Sequence, residues 1–356
     1  MANQVLYGFV NLTNVFSERV TTVGVATINE AIDRTLAEHN RQLNAMMALF
    51  ADTTTDFKRR YKTPTAARLQ PVDEVGRARP IRVAGYYDIA FPLQRGGTAW
   101  GTTYEASLKE TVQEANNRMN TLLTADARWM RDHILSGLFA NTSWTYTDEE
   151  HGSLTVKGLA NADTDTYLIQ EGADAGATDT HYFAQANAID DSNDPFPTIH
   201  DELTEHPENG GDVIAFVPTN LKATVKALTG FYPVSDPNLQ YGNAATQLTG
   251  NLSQALPGMV FGYHDDGVWL VEWKAMVSSY IIAVTTDGDR PLAMRQDTAP
   301  ELQGFNRVAE RNDHPYYESQ YLRKAGFGGQ NRVGALVYRI GNGSYAVPTG
   351  YAAPMP

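Results

Sequence analysis

The sequence predicts an α+β fold, on three observations. Apolar residues recur at Leu108, Val112, Ala115, Met119, Leu122, Leu123, Met130, Ile134, Leu138 and Phe139, the spacing of one helix face held from Tyr104 to about Asn141. Asp52 to Thr103 is broken by Pro64, Pro71, Pro80 and Pro92 and by five glycines, a density that no helix survives. From Asp212 to Thr285, short apolar runs bounded by turn residues flank a helical segment, the texture of an α/β unit.

Taken in order, residues 1–26 show no sustained period and are expected to form an extended arm that packs onto something. Thr27 and Glu30 have capping-box spacing, so a helix is predicted to open there and run to Ala51 on the stripe Ile28, Ile32, Leu36, Leu43, Met46, Met47 and Phe50. These residues, 1–51, form the first region. The second, 52–103, reads as a two-stranded excursion: Tyr87, Ile89, Phe91 and Leu93 alternate with Tyr86, Asp88, Ala90 and Pro92, and Arg95-Gly96-Gly97 supplies a turn. A third region, 104–194, holds the long helix at 104–141, about 50 Å at 1.5 Å per residue, and then short strands and an acidic loop.

Residues 195–295 form the α/β unit. Asp194-Pro195-Phe196-Pro197 opens a helix through about His206, and Asp212–Val217 is a buried strand entering a helix that ends near Gly230. Strands are predicted at Met259–Tyr263, Val268–Glu272 and Tyr280–Thr285. The last region, 296–356, reads as returning strands bent at Gly326, Gly328 and Gly329.

The formal net charge of −13 argues against non-specific nucleic-acid binding, which needs a surplus of cations on some face. The charge is unevenly placed. Lys58, Arg59, Arg60, Lys62, Arg68, Arg77, Arg79, Arg82 and Arg95 face only Asp73, Glu74 and Asp88 between Phe57 and Arg95, whereas Trp144–Asp212 holds sixteen Asp and Glu with Lys157 as its sole Lys or Arg. Two readings stand: independently solvated surfaces, or complementarity between neighbouring copies that favours encounter and register. On the second, those nine cations are intersubunit contacts. With 19% charged residues much surface is neutral or hidden, as in an oligomer.

No cysteine occurs, so a disulfide framework, a thiolate metal site and a Cys nucleophile are excluded. The N-terminus lacks the pattern of a secretory signal, and the apolar run Ala275–Val284 is too short to span a bilayer. The eight histidines show no i, i+4 pair; His200 and His206 are the closest in sequence, and no metal site is expected. The acidic runs at 163–165 and 190–194 do not continue into an EF-hand loop. Neither a phosphate loop, a G-x-S-x-G elbow, an S-x-x-K nor an H-E-x-x-H is present. No catalytic residue and no cofactor is expected.

In this order of parts, the chain resembles the Hong Kong 97-type major capsid proteins of tailed bacteriophages: N-terminal arm and helix, extended loop, spine helix, peripheral strands, axial α/β domain and returning strands. The run Arg323-Lys324-Ala325-Gly326-Phe327-Gly328, followed by Ala335-Leu336-Val337-Tyr338-Arg339-Ile340, is similar to terminal strands of that family. The resemblance implies a non-enzymatic shell protein assembled in the host cytoplasm. Its pentamers and hexamers would tile an icosahedral virion head around double-stranded DNA, bound without sequence specificity and with no membrane. It also implies an extended loop lying across a neighbouring subunit, with scaffolding, portal and decoration proteins as further partners. A bacterial encapsulin-type compartment, which shares the fold but holds enzyme cargo, is the related alternative; a soluble α/β enzyme built on Asp212–Thr285 is the alternative from another class. On the shell reading, deletion of 58–95 is expected to leave a foldable body that does not assemble.

Overall fold

The computed structural model describes residues 5–62, 71–72, 74–76, 86–169, 176–234 and 257–355. The described part of the arm is not extended. Tyr7–Val15 forms 3-10 turns, a short helix α1 covers Val20–Val23, and α2 runs Val25–Met47. Helix α2 starts two residues before the expected Thr27, because Gly24, at φ 106°, turns the chain sharply out of α1. The arm packs back on its own chain. Leu6 and Phe9 join Ile28, Ile32 and Leu36, and the Leu6 amide donates to Asn116 Oδ1 at 3.0 Å.

Strands β1 (Ala51–Thr54) and β2 (Lys58–Lys62) follow, then β3 (Tyr86–Ala90) and β4 (Gln94–Thr103). The expected turn at Arg95-Gly96-Gly97 is instead the start of β4. Gly96 serves a close approach there, since a Cβ would sit 2.9 Å from the Trp129 ring.

The long helix is two helices, α3 (Tyr104–Lys109) and α4 (Val112–Phe139). Glu110, at ψ 131°, leaves the helical region, and Thr111 and Glu114 form a full capping box that restarts the chain as a helix. The Val20 amide donates to the Glu110 carbonyl at 2.9 Å, so the N-terminal segment fills the break. The 28 residues of α4 span about 42 Å.

Beyond α4 come the hairpin β5 (Trp144–Asp148) and β6 (Gly152–Val156), strand β7 (Tyr182–Gln185), helix α5 (Phe196–Thr204), strand β8 (Gly210–Val217) and helix α6 (Thr219–Val225). Strands β9 (Phe231–Pro233), β10 (Met259–His264), β11 (Val268–Glu272), β12 (Tyr280–Asp287) and β13 (Leu292–Arg295) continue the chain. It ends in β14 (Phe305–Asp313), β15 (Tyr316–Gly329) and β16 (Ala335–Ile340).

Two larger sheets organise these strands. One has seven, ordered β7-β16-β12-β8-β11-β10-β9, with α5 packed on it through Phe196, Ile199 and Leu203. Strand β16 lies inside this sheet, paired with β12, so a regional boundary at 295 does not separate the sheets. The other orders β1-β13-β15-β14, with β4 also on β15. Because the C-terminal half of α4 lies against both, Met130, Ile134, Leu135, Leu138 and Phe139 share one core with Phe216, Trp269, Leu292, Phe327 and Val337. Burying side chains of this size contributes about 1.5–3 kcal/mol each.

Strand β15 is continuous through its glycines. Gly326 and Gly328 permit contact rather than bending: Cβ atoms there would lie 2.4 Å from the Pro92 carbonyl oxygen and 2.7 Å from that of Ala90. The loop's return strand is thereby seated directly on β15.

Candidate functional site: the loop root and its charged face

Strands β2 and β3 pair antiparallel in the register Lys58↔Ala90, Arg60↔Asp88 and Lys62↔Tyr86. Side chains alternate across a strand, so Lys58 and Arg60 share one face and both reach Asp88. The Lys58 Nζ to Asp88 Oδ2 and Arg60 Nε to Asp88 Oδ1 separations are 2.7 Å each. Hydrogen bonds from Arg60 and Lys58 hold the Asp88 carboxyl well below the usual carboxylate range. The Arg60 guanidinium also lies 4.1 Å from the exposed Tyr86 ring centre.

The other face is the root. Arg59 donates to Asp56 Oδ2 at 2.8 Å, to Thr54 Oγ1 at 2.9 Å and to Gln330 Oε1 at 3.1 Å. Ile89 and Phe91, fully buried with Ala293, form a small core with Tyr61 and Tyr87 packed against it. Burial pushes the Tyr61 and Tyr87 hydroxyls up, which keeps them neutral. Ile89 and Phe91 are therefore body residues, and a deletion of 58–95 removes part of the core along with the loop.

Among the nine cations, Lys58, Arg59 and Arg60 meet at the hairpin, while Arg95 pairs separately with Glu149 Oε2 at 2.6 Å. Lys62 lies at the end of β2. Arg68, Arg77, Arg79 and Arg82 fall outside the described residues.

The acidic middle is partly neutralised from within. Arg295 meets Asp148 at 2.6 Å, Arg332 meets Asp163 at 2.6 Å and Asp165 at 2.5 Å, and Lys157 meets Asp165 at 2.5 Å. Composition alone did not reveal this, because Arg295 and Arg332 lie far along the chain. Apolar side chains stay uncovered at one end of the β14-β15-β4 sheet: Trp100, Tyr104, Leu108 and Tyr316 are 36%, 42%, 41% and 67% exposed.

Histidines distant in sequence converge: His181, Asp179 and His206 form one group able to hold a metal, and Asp194, His264 and Asp266 another. The sequence pair His200 and His206 does not meet in this way. Asp179-x-His181, the spacing of one strand face, was the available signal.

No family model and no curated protein sequence matches the chain. A solved structure described as Mycobacterium phage Patience matches it with a TM-score of 0.69 at 18% identity, over 93% of this chain and 92% of that one. The asymmetric unit of the bacteriophage PhiM1 mature capsid is more distant, with a TM-score of 0.49 at 12% identity, over 82% of this chain and 85% of that one. At such identities the likeness is one of fold, and the fold is the Hong Kong 97-type α+β architecture implied by the sequence resemblance. Among the described residues, no helix is long and apolar enough to cross a membrane.

Proposed function

We propose that this chain is a major capsid protein, a structural subunit without a catalytic role. It self-assembles as pentamers and hexamers into the icosahedral head of a tailed bacteriophage. The observation that carries the reading is the fold match to the phage structure along nearly the whole of both chains. The uncovered Trp100, Tyr104, Leu108 and Tyr316 support it, since a subunit in a shell covers such side chains against its neighbours.

In this reading the loop cations, Lys58, Arg59, Arg60, Lys62, Arg68, Arg77, Arg79, Arg82 and Arg95, face the neighbouring subunit's acidic middle. Lys58, Arg59, Arg60 and Arg95 also have partners in their own chain. A net charge of −13 lets double-stranded DNA be enclosed without adhering to the wall. Scaffolding, portal and decoration proteins are the further partners, and the finished protein resides in the virion.

Negative-stain electron microscopy of the purified full-length chain, across salt and crowding conditions, tests this. Closed isometric shells are expected; small discrete oligomers under every condition overturn it.

A further inference from the structure

His181 Nε2 lies 2.8 Å from Asp179 Oδ2, His206 Nε2 lies 2.9 Å from the same oxygen, and the two Nε2 atoms are 3.3 Å apart. The site is buried: the side chains of His181, His206 and Asp179 are 0%, 1% and 11% exposed.

Either a proton or a cation has to balance this site. His206 Nδ1 stands 2.8 Å from the Leu168 carbonyl oxygen, which can only accept, so Nδ1 carries the proton and neutral His206 turns a lone pair inward at Nε2. A proton on His181 Nε2 satisfies that ring's contact with Asp179. His206 Nε2 and Asp179 Oδ2 then remain as two acceptors 2.9 Å apart in a buried setting. A second proton on His206, which the Asp179 carboxylate favours, or a metal cation between them removes the conflict.

A ligating histidine commonly donates its other ring N–H to a backbone carbonyl, which is the His206–Leu168 arrangement. Tetrahedral zinc with bonds of about 2.0–2.1 Å separates its ligand atoms by about 3.3 Å. The two imidazoles already stand at 3.3 Å, and the carboxylate needs to withdraw by only a few tenths of an ångström. Glu205 Oε1 stands 3.6 Å from His206 Nε2 but groups with Asp179 and Glu202, so the ligand set that converges here is three residues.

We propose that Asp179, His181 and His206 bind one divalent transition-metal cation of the zinc class, with water completing its coordination. The centre fastens the chain entering β7 to the segment just after α5, and through His206 to the loop at Leu168. Its burial makes it a structural centre. Because the ligands come from one chain, the proposal stands independently of the shell reading.

The test uses the untagged full-length chain, stripped by a chelator and titrated with Co²⁺ and then Zn²⁺. One equivalent of Co²⁺ should give the visible absorption of a tetrahedral site, displaced by one equivalent of Zn²⁺. Zn²⁺ should also raise the unfolding temperature by a few degrees. His206→Gln and His181→Gln should each weaken binding at least tenfold and abolish that rise.

Absence of a stoichiometric Co²⁺ spectrum in the native chain overturns the proposal, as does unchanged binding by His206→Gln. A pH-dependent transition with no metal bound assigns the centre to a shared proton and overturns it equally. Should either variant fail to fold, X-ray absorption on the Zn²⁺-loaded native chain decides: two imidazoles in the first shell are expected, and a shell without imidazole refutes the assignment.

Discussion

Arg323 of β15 grips Asp126 of α4 in a two-pronged ion pair, with Nη2 2.6 Å from Oδ2 and both side chains at most 3% exposed. His39 of α2 donates its Nε2–H to the same carboxylate at 2.7 Å, so three elements meet at one buried anion. Removing one partner of such a pair strands the other. Asp126→Leu alone is expected to lose about 3–5 kcal/mol in chemical denaturation of the unassembled chain. The double variant Asp126→Leu with Arg323→Met should recover most of that loss, because a matched apolar pair leaves no buried charge unpaired.

Acid stability follows from the same groups. Burial pushes the Asp126, Asp148 and Asp163 carboxyls up, but hydrogen bonds from His39 and Arg323, from Arg295, and from Arg332 more than offset this and leave all three below the ordinary value of 3.8. A carboxyl with a depressed folded-state value contributes stability that is complete above its unfolded value and is lost as the pH falls through the folded one. The contribution of these three carboxyls should therefore be complete down to about pH 4 and be lost progressively below. Urea midpoints measured between pH 5 and 2 check this. Asp148→Asn should flatten the curve in that range.

Gly326→Ala is expected to destabilise the chain by about 1–3 kcal/mol despite adding only a methyl group. The new Cβ would meet the Pro92 carbonyl oxygen at 2.4 Å, and β3, β4 and β15 are fixed in register on either side. Thermal unfolding reads the loss. By contrast, Gly101→Ala lies in open space on β4 and should change little.

For the proposed shell, replacing Arg68, Arg77, Arg79 and Arg82 together by Gln should slow assembly about tenfold at low salt. The difference from the native chain should shrink as salt is added. Light scattering during assembly provides the rates; equal rates at low salt would remove these four from the interface. Replacing residues 63–85 by a short Gly/Ser linker tests the loop as a whole and spares Ile89 and Phe91, which the 58–95 deletion does not.

Elements that bury a continuous apolar run were legible within two or three residues: β8, β11 and β12, with α5 placed by its Asp-Pro-Phe-Pro entry. The break at Glu110 was hidden because Leu108 and Val112 keep helical spacing across it. Leu108 is 41% exposed, however, so the apparent stripe joins an outward residue to a buried one. The capping residues Thr111 and Glu114 were in plain sight and outweigh the period. The arm's short turns carried no period because packing against α2 and α4 holds them, and helices so short have little stability of their own. The pairing of Lys58 and Arg60 with Asp88 becomes visible only once the β2–β3 register is known. For His181 and His206, no local spacing links two residues joined by a strand and a helix.

Strand β15 has one further mechanical consequence. Over Tyr316–Ala325 it is laced to β4 along ten consecutive residue pairs, while its far end, Gly326–Gly329, is paired with β13 next to the central core. A pull applied to the outer end along the strand axis loads those pairs together, in shear, instead of opening them one after another. The molecule should therefore yield abruptly and at high force along this direction, and far more easily when β4 is peeled sideways.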